Sequence, residues 1–318
     1  MKTYFIINPS AGQGNKINSL ESEIITLTQN SGDDVERYFT RFPGDAEEFV
    51  KRTCQYNPNS RFIACGGDGT FSEVLNGAMG YYDAQIGVYP IGTGNDFCRN
   101  FNKEFNFLDV ESQLNGETEW CDAIKYSTIS DGRKKVGYCA NMFNVGFDCN
   151  VADMTADMKK KPFISGSFAY FISIIFNLIK KECTFLELEL DGKKVHSGKL
   201  LLTSIANGSF CGGGIKSNPL ASLQDGFINI NIVKDVSRYK FLKLLPHYMK
   251  GDFLNLKNID SIVLSPKCKR IVLTPLRDVI RICVDGEITS ASKIEFEIVP
   301  NAFKFVLPAI NQKKAVLK

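Results

Sequence analysis

Three glycine-bearing loops, each directly after a short apolar run, constrain this chain more than any other feature. They are Asn8-Pro9-Ser10-Ala11-Gly12-Gln13-Gly14, Gly66-Gly67-Asp68-Gly69-Thr70 and Gly92-Thr93-Gly94-Asn95-Asp96. Of the runs before them, Tyr4–Ile7 reads as a buried strand and Arg61–Cys65 and Ile86–Ile91 read as strands, and Val35–Phe39 reads as a further strand. Between them, apolar residues recur at helical spacing: Ile17, Leu20, Ile24 and Leu27; then Ala46, Phe49, Val50 and Thr53; then Val74, Leu75 and Ala78. Strands alternating with helices predict an α/β domain, and in an open α/β sheet the loops at the strands' carboxyl ends share one edge, where ligands bind.

Glycine in such loops lets backbone N–H groups come close to an anion, and the helix that follows adds its positive end. The spacing excludes the common phosphate motifs. Gly12-Gln13-Gly14 lacks the third glycine of a dinucleotide fingerprint, no GxxxxGK[ST] string occurs, and the protein-kinase motifs are missing. The loops carry no cationic side chain before Arg99 but do carry Asp68 and Asp96. Carboxylates beside a polyphosphate repel it unless a divalent cation intervenes. The expectation is therefore Mg2+ held partly through water by Asp68. The competing readings are an Asx turn at Asp68 and a helix N-cap at Asp96.

From about Asp122 the texture becomes strand-like and β-branched. Phe185–Leu190, Lys199–Ile205, Phe227–Val233, Ile271–Thr274, Arg281–Val284 and Ile294–Val299 are separated by Asp-Gly turns at Asp191-Gly192, Asp225-Gly226 and Asp285-Gly286. This is the pattern of an antiparallel β region, interrupted by a helical insert at about 150–181 and a shorter helix near Lys240–Lys250. Hydrophobic residues at 44% and charged residues at 23% fit a globular protein, and a net charge of +3 gives no case for a nucleic-acid partner. No two of the ten cysteines have zinc-ligand or redox spacing, so reduced thiols and a cytoplasmic setting are expected. Met1-Lys2-Thr3 leads straight into an apolar strand, with no secretory signal pattern. Phe163–Ile179 is apolar but interrupted by Ser165, Gly166, Ser167, Ser173 and Asn177, and reads as a buried or membrane-facing helix rather than a span.

In order along the chain, Asn8-Pro9-Ser10-Ala11-Gly12, Gly66–Thr70, Pro90–Phe97 with Arg99, Asn141, Gly146-Phe147-Asp148, Asn207-Gly208, Gly212–Gly214, Pro219, Ala221, Asp225-Gly226 and Asp285-Gly286-Glu287 form a set that resembles the diacylglycerol kinase catalytic-domain family, which includes bacterial lipid kinases and the sphingosine and ceramide kinases. The likeness runs nearly the whole length. It implies an α/β plus all-β fold: a three-layer α/β nucleotide-binding domain over residues 1–121, completed by a returning strand at about 302–318, and an antiparallel β-sandwich over 122–301 that takes the lipid. It implies ATP as phosphate donor, with Asn8, Pro9, Gly12, Thr40, Gly66, Gly67, Asp68, Gly69, Thr70, Phe71, Ser72, Thr93, Asn95 and Asp96 around the nucleotide.

The family's catalytic base falls on Asp285-Gly286-Glu287, where a carboxylate would take the proton of the attacking lipid hydroxyl; Asp285 and Glu287 both remain candidates, and Asp-Gly is also a hairpin-turn pair. A second Mg2+ is implied at Ser222, Asp225 and Phe227, although Gln224 stands where the family often has another aspartate. Diacylglycerol is the expected acceptor, with phosphatidylglycerol, a sphingoid base and a polyprenol as alternatives. Phe163, Phe168, Tyr170, Phe171 and Phe176 of the insert and its flanking lysines suggest peripheral contact with an anionic membrane. A homodimer is left open. NAD kinase shares the Gly66–Thr70 type of loop but needs a TGSTAY-like segment that is missing. A non-catalytic lipid-binding module on the same fold is the remaining rival.

Overall fold

The computed structural model describes residues 1–12, 14–32, 34–130, 132–146, 183–277, 279–284 and 287–310. The insert expected at about 150–181 lies outside these, with its aromatics and lysines, as do Asp285, Gly286 and the tail beyond 310. The chain divides into two compact units, residues 1–121 with 301–318, and residues 122–300.

The first unit opens with β1 (Lys2–Ile7), α1 (Gly14–Ser31), β2 (Val35–Phe39), α2 (Asp45–Tyr56), β3 (Ser60–Gly66), α3 (Asp68–Ala78), β4 (Gln85–Pro90), a 3-10 turn at Phe97–Asn100 and α4 (Val110–Leu114). β1 pairs in parallel with β2 and β3, and β3 with β4. β1, β3 and β4 are buried on both faces because helices cover both, whereas β2 is the edge strand and is largely exposed. Phe5, Ile7, Ile63 and Cys65 pack on Ile17, Leu20 and Ile24 of α1 and Val110 of α4. On the other face the ring of Tyr4 lies 5.4 Å from that of Phe62 and 5.6 Å from that of Phe49 on α2. The result is three layers, helices–sheet–helices. Gly77 of α3 brings α2 close: a Cβ there would lie 2.6 Å from the Glu47 carbonyl.

The second unit is antiparallel and holds most of β5 (Glu117–Ser130), β6 (Arg133–Cys139), β7 (Met142–Gly146), β8 (Thr184–Leu190), β9 (Lys193–Ala206), β10 (Ile228–Lys234), α5 (Arg238–Lys250), β11 (Val263–Leu264), β12 (Lys267–Cys268), β13 (Arg270–Pro275), β14 (Ile280–Val284), β15 (Glu287–Ala291) and the start of β16 (Lys293–Leu307). Strands run in the order β15-β14-β7-β9-β8-β13-β16, with β10 on β9 and β5 on β6 and β16. Phe143, Val145, Leu188, Ile205, Ile230, Ile271, Ile282 and Phe296 meet in the core of this β-sandwich. α5 covers a separate cluster through Phe241, Leu244, Leu245 and Tyr248, against Leu201, Leu202 and Val233.

The returning strand is one continuous β16. Its first part pairs with β13, and its last part pairs in parallel with β4, Lys304 opposite Gln85. Phe305 is fully buried there among Phe97, Phe101 and Phe107. The strand ends at Leu307.

Candidate functional site

The three loops meet at the carboxyl edge of the parallel sheet, and several of their glycines are required by that meeting. Gly12 has φ +70°, and a Cβ on it would sit 2.7 Å from the Ile91 carbonyl oxygen. At Gly92 a Cβ would lie 2.4 Å from the Gly67 Cα, and at Gly94 2.7 Å from Asp68 Oδ2. At Gly66 it would strike the Thr70 side chain. Gly69 differs: it is exposed, its φ is ordinary, and a Cβ on it would meet nothing within 4 Å. Nothing in the fold requires glycine at Gly69, in the first turn of α3, where amide N–H groups lack intrahelical partners.

Asp68 ties the second loop to the third. Its Oδ1 accepts from the Asp96 N–H at 2.9 Å and the Phe97 N–H at 3.4 Å. Burial raises its pKa, while hydrogen bonds from the Phe97, Asp96 and Asn95 backbone pull the other way. The Asx-turn reading therefore does not describe it, since α3 is capped by Gly67 with no side-chain cap bond and the carboxylate reaches across to another loop. Asp96 does not cap its 3-10 turn through its side chain either; its buried Oδ1 lies 3.5 Å from Arg99 Nε.

The other predicted residues sort into holders and surfaces. Asn8 donates from Nδ2 to Thr70 Oγ1 at 3.2 Å, joining the first loop to α3. Asn95, at φ +55°, donates to the carbonyls of Pro90 and Gly92 at 3.2 and 2.9 Å. The Thr40 N–H extends the β1 ladder to the Ile7 carbonyl at 2.9 Å. Pro9, Thr93 and Gly69 are exposed, and Ser72 is half-buried. Phe71 is 3% exposed and stacks 4.5 Å from Phe97, with Phe305 6.1 Å away, so its side chain belongs to the core.

Sequence reasoning missed the residues that hold the Thr40 loop. Glu73 on α3 accepts from the Gly44 and Ala46 N–H groups at 2.9 and 3.2 Å, capping the start of α2. Asp45 accepts from Tyr38 Oη and the Arg41 N–H, both at 2.8 Å. Only the spacing of Gly44 before an acidic first turn hinted at a helix start.

The first-unit residues fit a divalent cation next to a phosphate. Asp68 is a half-buried carboxylate whose pKa burial raises, a shift that a nearby cation would oppose by favouring the charged form, and its Oδ2 faces the open backbone of Gly94. The second-unit set does not fit one. Asp225 Oδ2 is held by Lys267 Nζ at 2.6 Å, Oδ1 accepts from the Phe227 N–H at 3.1 Å, and Lys269 Nζ lies 5.6 Å from the Phe227 ring. An ammonium already fills the cation's place beside the set's single carboxylate, which corrects the expectation for Ser222, Asp225 and Phe227. The loop is fixed from elsewhere, by Asp122 Oδ2 accepting from the Gly226 N–H at 2.7 Å. Among the described residues there is no cluster of three His, Cys, Asp or Glu side chains.

Comparison with known proteins places this geometry. The diacylglycerol kinase catalytic domain matches residues 2–126, and the YegS C-terminal NAD kinase beta sandwich-like domain matches residues 141–307. The chain thus belongs to the diacylglycerol kinase catalytic-domain family. It is a kinase, and the curated relatives it matches carry the name putative lipid kinase. One such protein of Staphylococcus aureus (strain JH9) is 29% identical over 287 residues, covering 89% of this chain and 85% of the relative. A diacylglycerol kinase structure from Bacillus anthracis str. Sterne aligns with TM-score 0.68 and 19% identity over 98% of both chains. A second from the same source reaches 0.73 and 21% over 98% of both chains. Yeast NADH kinase aligns at 0.54 and 14% identity, over 99% of this chain and 86% of the other, a likeness of fold alone.

Proposed function

We propose that this chain transfers the γ-phosphate of ATP to the hydroxyl of a membrane lipid, with diacylglycerol as the preferred acceptor and phosphatidic acid as product. The observation that carries this is Gly69: an exposed glycine with open space around it at the start of α3, beside a Gly66 that packing against Thr70 accounts for. A polyphosphate is the ligand that needs backbone N–H groups so bare.

In this reading the first turn of α3 cradles the phosphates, with the first loop joined to the second through Asn8 and Thr70 and the second to the third through Asp68 and the Asp96 N–H. Asp68 would hold Mg2+, which when bound offsets the negative charge gathered on the phosphates. Asp285 or Glu287 accepts the proton of the lipid hydroxyl. The lipid oxygen bonds to Pγ as the bond from Pγ to the bridging oxygen breaks, and ADP leaves with that electron pair. The described strands β14 and β15 pair as far as Val284 and Glu287, on either side of Asp285-Gly286. The work would take place on the cytoplasmic surface of a membrane, by peripheral contact. Among the described residues no helix is long and apolar enough to cross one.

The test is a panel of acceptors, diacylglycerol, phosphatidylglycerol, sphingosine and a polyprenol, each presented in detergent micelles with labelled ATP. Diacylglycerol is expected to give the highest kcat/KM. A higher value for another acceptor would replace it as the substrate.

A further inference from the structure

α5 carries two apolar stripes where a surface helix needs one. Phe241, Leu244, Leu245 and Tyr248 form the inner stripe, packed on Leu201, Leu202 and Val233. On the opposite face, Tyr239, Leu242 and Pro246 recur at i, i+3 and i+7 and are left in water, Tyr239 67% and Leu242 45% exposed. Lys243 Nζ lies 4.5 Å above the Tyr239 ring, and Lys240 and Lys250 are also exposed. The helix contains no carboxylate, and Arg238 adds a fourth cation. Of the acids at its two ends, Asp235 pairs off the helix with Lys199 at 2.9 Å, and Asp252 pairs with the helix's own His247 at 2.8 Å.

We infer that this outer face docks the second unit on an anionic lipid bilayer, an inference that rests on the lipid-kinase reading for its purpose but not for its test. Tyrosine, leucine and proline suit the boundary between headgroups and acyl chains, and lysines at their flanks reach back to lipid phosphates. The charge also selects among occupants. A second copy meeting this face symmetrically would set cations against cations. An anionic surface meets them with the opposite sign.

The experiment uses the full chain and vesicles of phosphatidylcholine, with or without phosphatidylglycerol, read by co-sedimentation. Wild type is expected on the mixed vesicles and not on phosphatidylcholine alone, with binding falling as salt rises. Lys240→Gln with Lys243→Gln and Lys250→Gln should weaken binding by roughly a hundredfold, about fivefold per lysine. Tyr239→Ser with Leu242→Ser should do so without changing the salt dependence. Both variants change exposed side chains, so thermal midpoints should stay near wild type. Turnover on a soluble short-chain diacylglycerol should also be unchanged. Undiminished vesicle binding in both variants overturns the inference, as does a wild-type dimer that the variants dissolve. Vesicle binding without kinase activity on any acceptor leaves the docking face standing and refutes the lipid-kinase reading.

Discussion

Replacing Gly69 by alanine separates a glycine kept for folding from one kept for a ligand. A methyl group there would touch nothing within 4 Å, and the backbone is not in the left-handed region. Alanine also favours helix over glycine by up to about 1 kcal/mol, so the variant should melt at the same temperature as wild type or slightly higher. If the first turn of α3 holds a polyphosphate, the methyl pushes it away from the N–H groups. Losing one hydrogen bond to a charged group costs about 1.5–3 kcal/mol, which is roughly a tenfold to hundredfold weaker ATP affinity. Calorimetric titration of ATP in the presence of Mg2+, alongside thermal melting, reads both quantities. Gly92→Ala is the control: its Cβ would lie 2.4 Å from the Gly67 Cα, backbone against backbone. That variant should lose about 1–3 kcal/mol of stability together with its nucleotide binding. Unchanged ATP affinity in a stable Gly69→Ala protein would refute the cradle.

Asp68→Asn tests the half-buried carboxylate without ligand. Because burial raises the folded-state pKa above 3.8, the folded chain holds the proton more tightly than the unfolded chain. Wild-type stability should therefore fall relative to the variant as pH rises from about 4 toward neutrality, and a pH-independent difference in melting temperature would contradict this. Phosphoryl transfer by the variant should be almost lost at every pH. Lys267→Met should create a need that wild type lacks, with Mg2+ or Ca2+ raising its melting temperature because Asp225 is then uncompensated; equal responses in the two proteins would show that the ammonium does not stand in for a cation. Asp285→Ala should leave ATP binding intact and cut single-turnover transfer to the lipid, and normal turnover would exclude Asp285 as the base.

β1, β3 and β4 were readable because each is a short apolar run buried on both faces and followed by a glycine-bearing loop. Val35–Phe39 is found with the same limits in the structure. The strands over residues 117–146 were not, since β5 exposes its first residues, buries four in succession and then varies, with no period of two to detect. Ile294–Val299 and the returning strand read as separate runs in the sequence, yet one strand, β16, runs through Pro300 and Asn301, with Asn301 at φ +49°. At the site, the glycines were visible but their reasons were not. That Gly92 answers to Gly67, or Gly94 to Asp68, depends on loops 25 or more positions apart being packed together. The helical turn aims the Phe71 ring into the aromatic core, a direction that the loop's sequence does not give. Lys267 was passed over because it reaches Asp225 from another strand, 42 positions away.

The most direct test of the account is transfer itself. The purified chain, Mg2+ and ATP labelled at the γ position are incubated with diacylglycerol in micelles, and the organic phase is extracted and resolved. Label is expected in a single lipid that co-migrates with phosphatidic acid, and it should disappear in Asp68→Asn. Label in no lipid from any acceptor, or label in NADP when NAD is supplied, would contradict the assignment of this chain as an ATP-dependent lipid kinase.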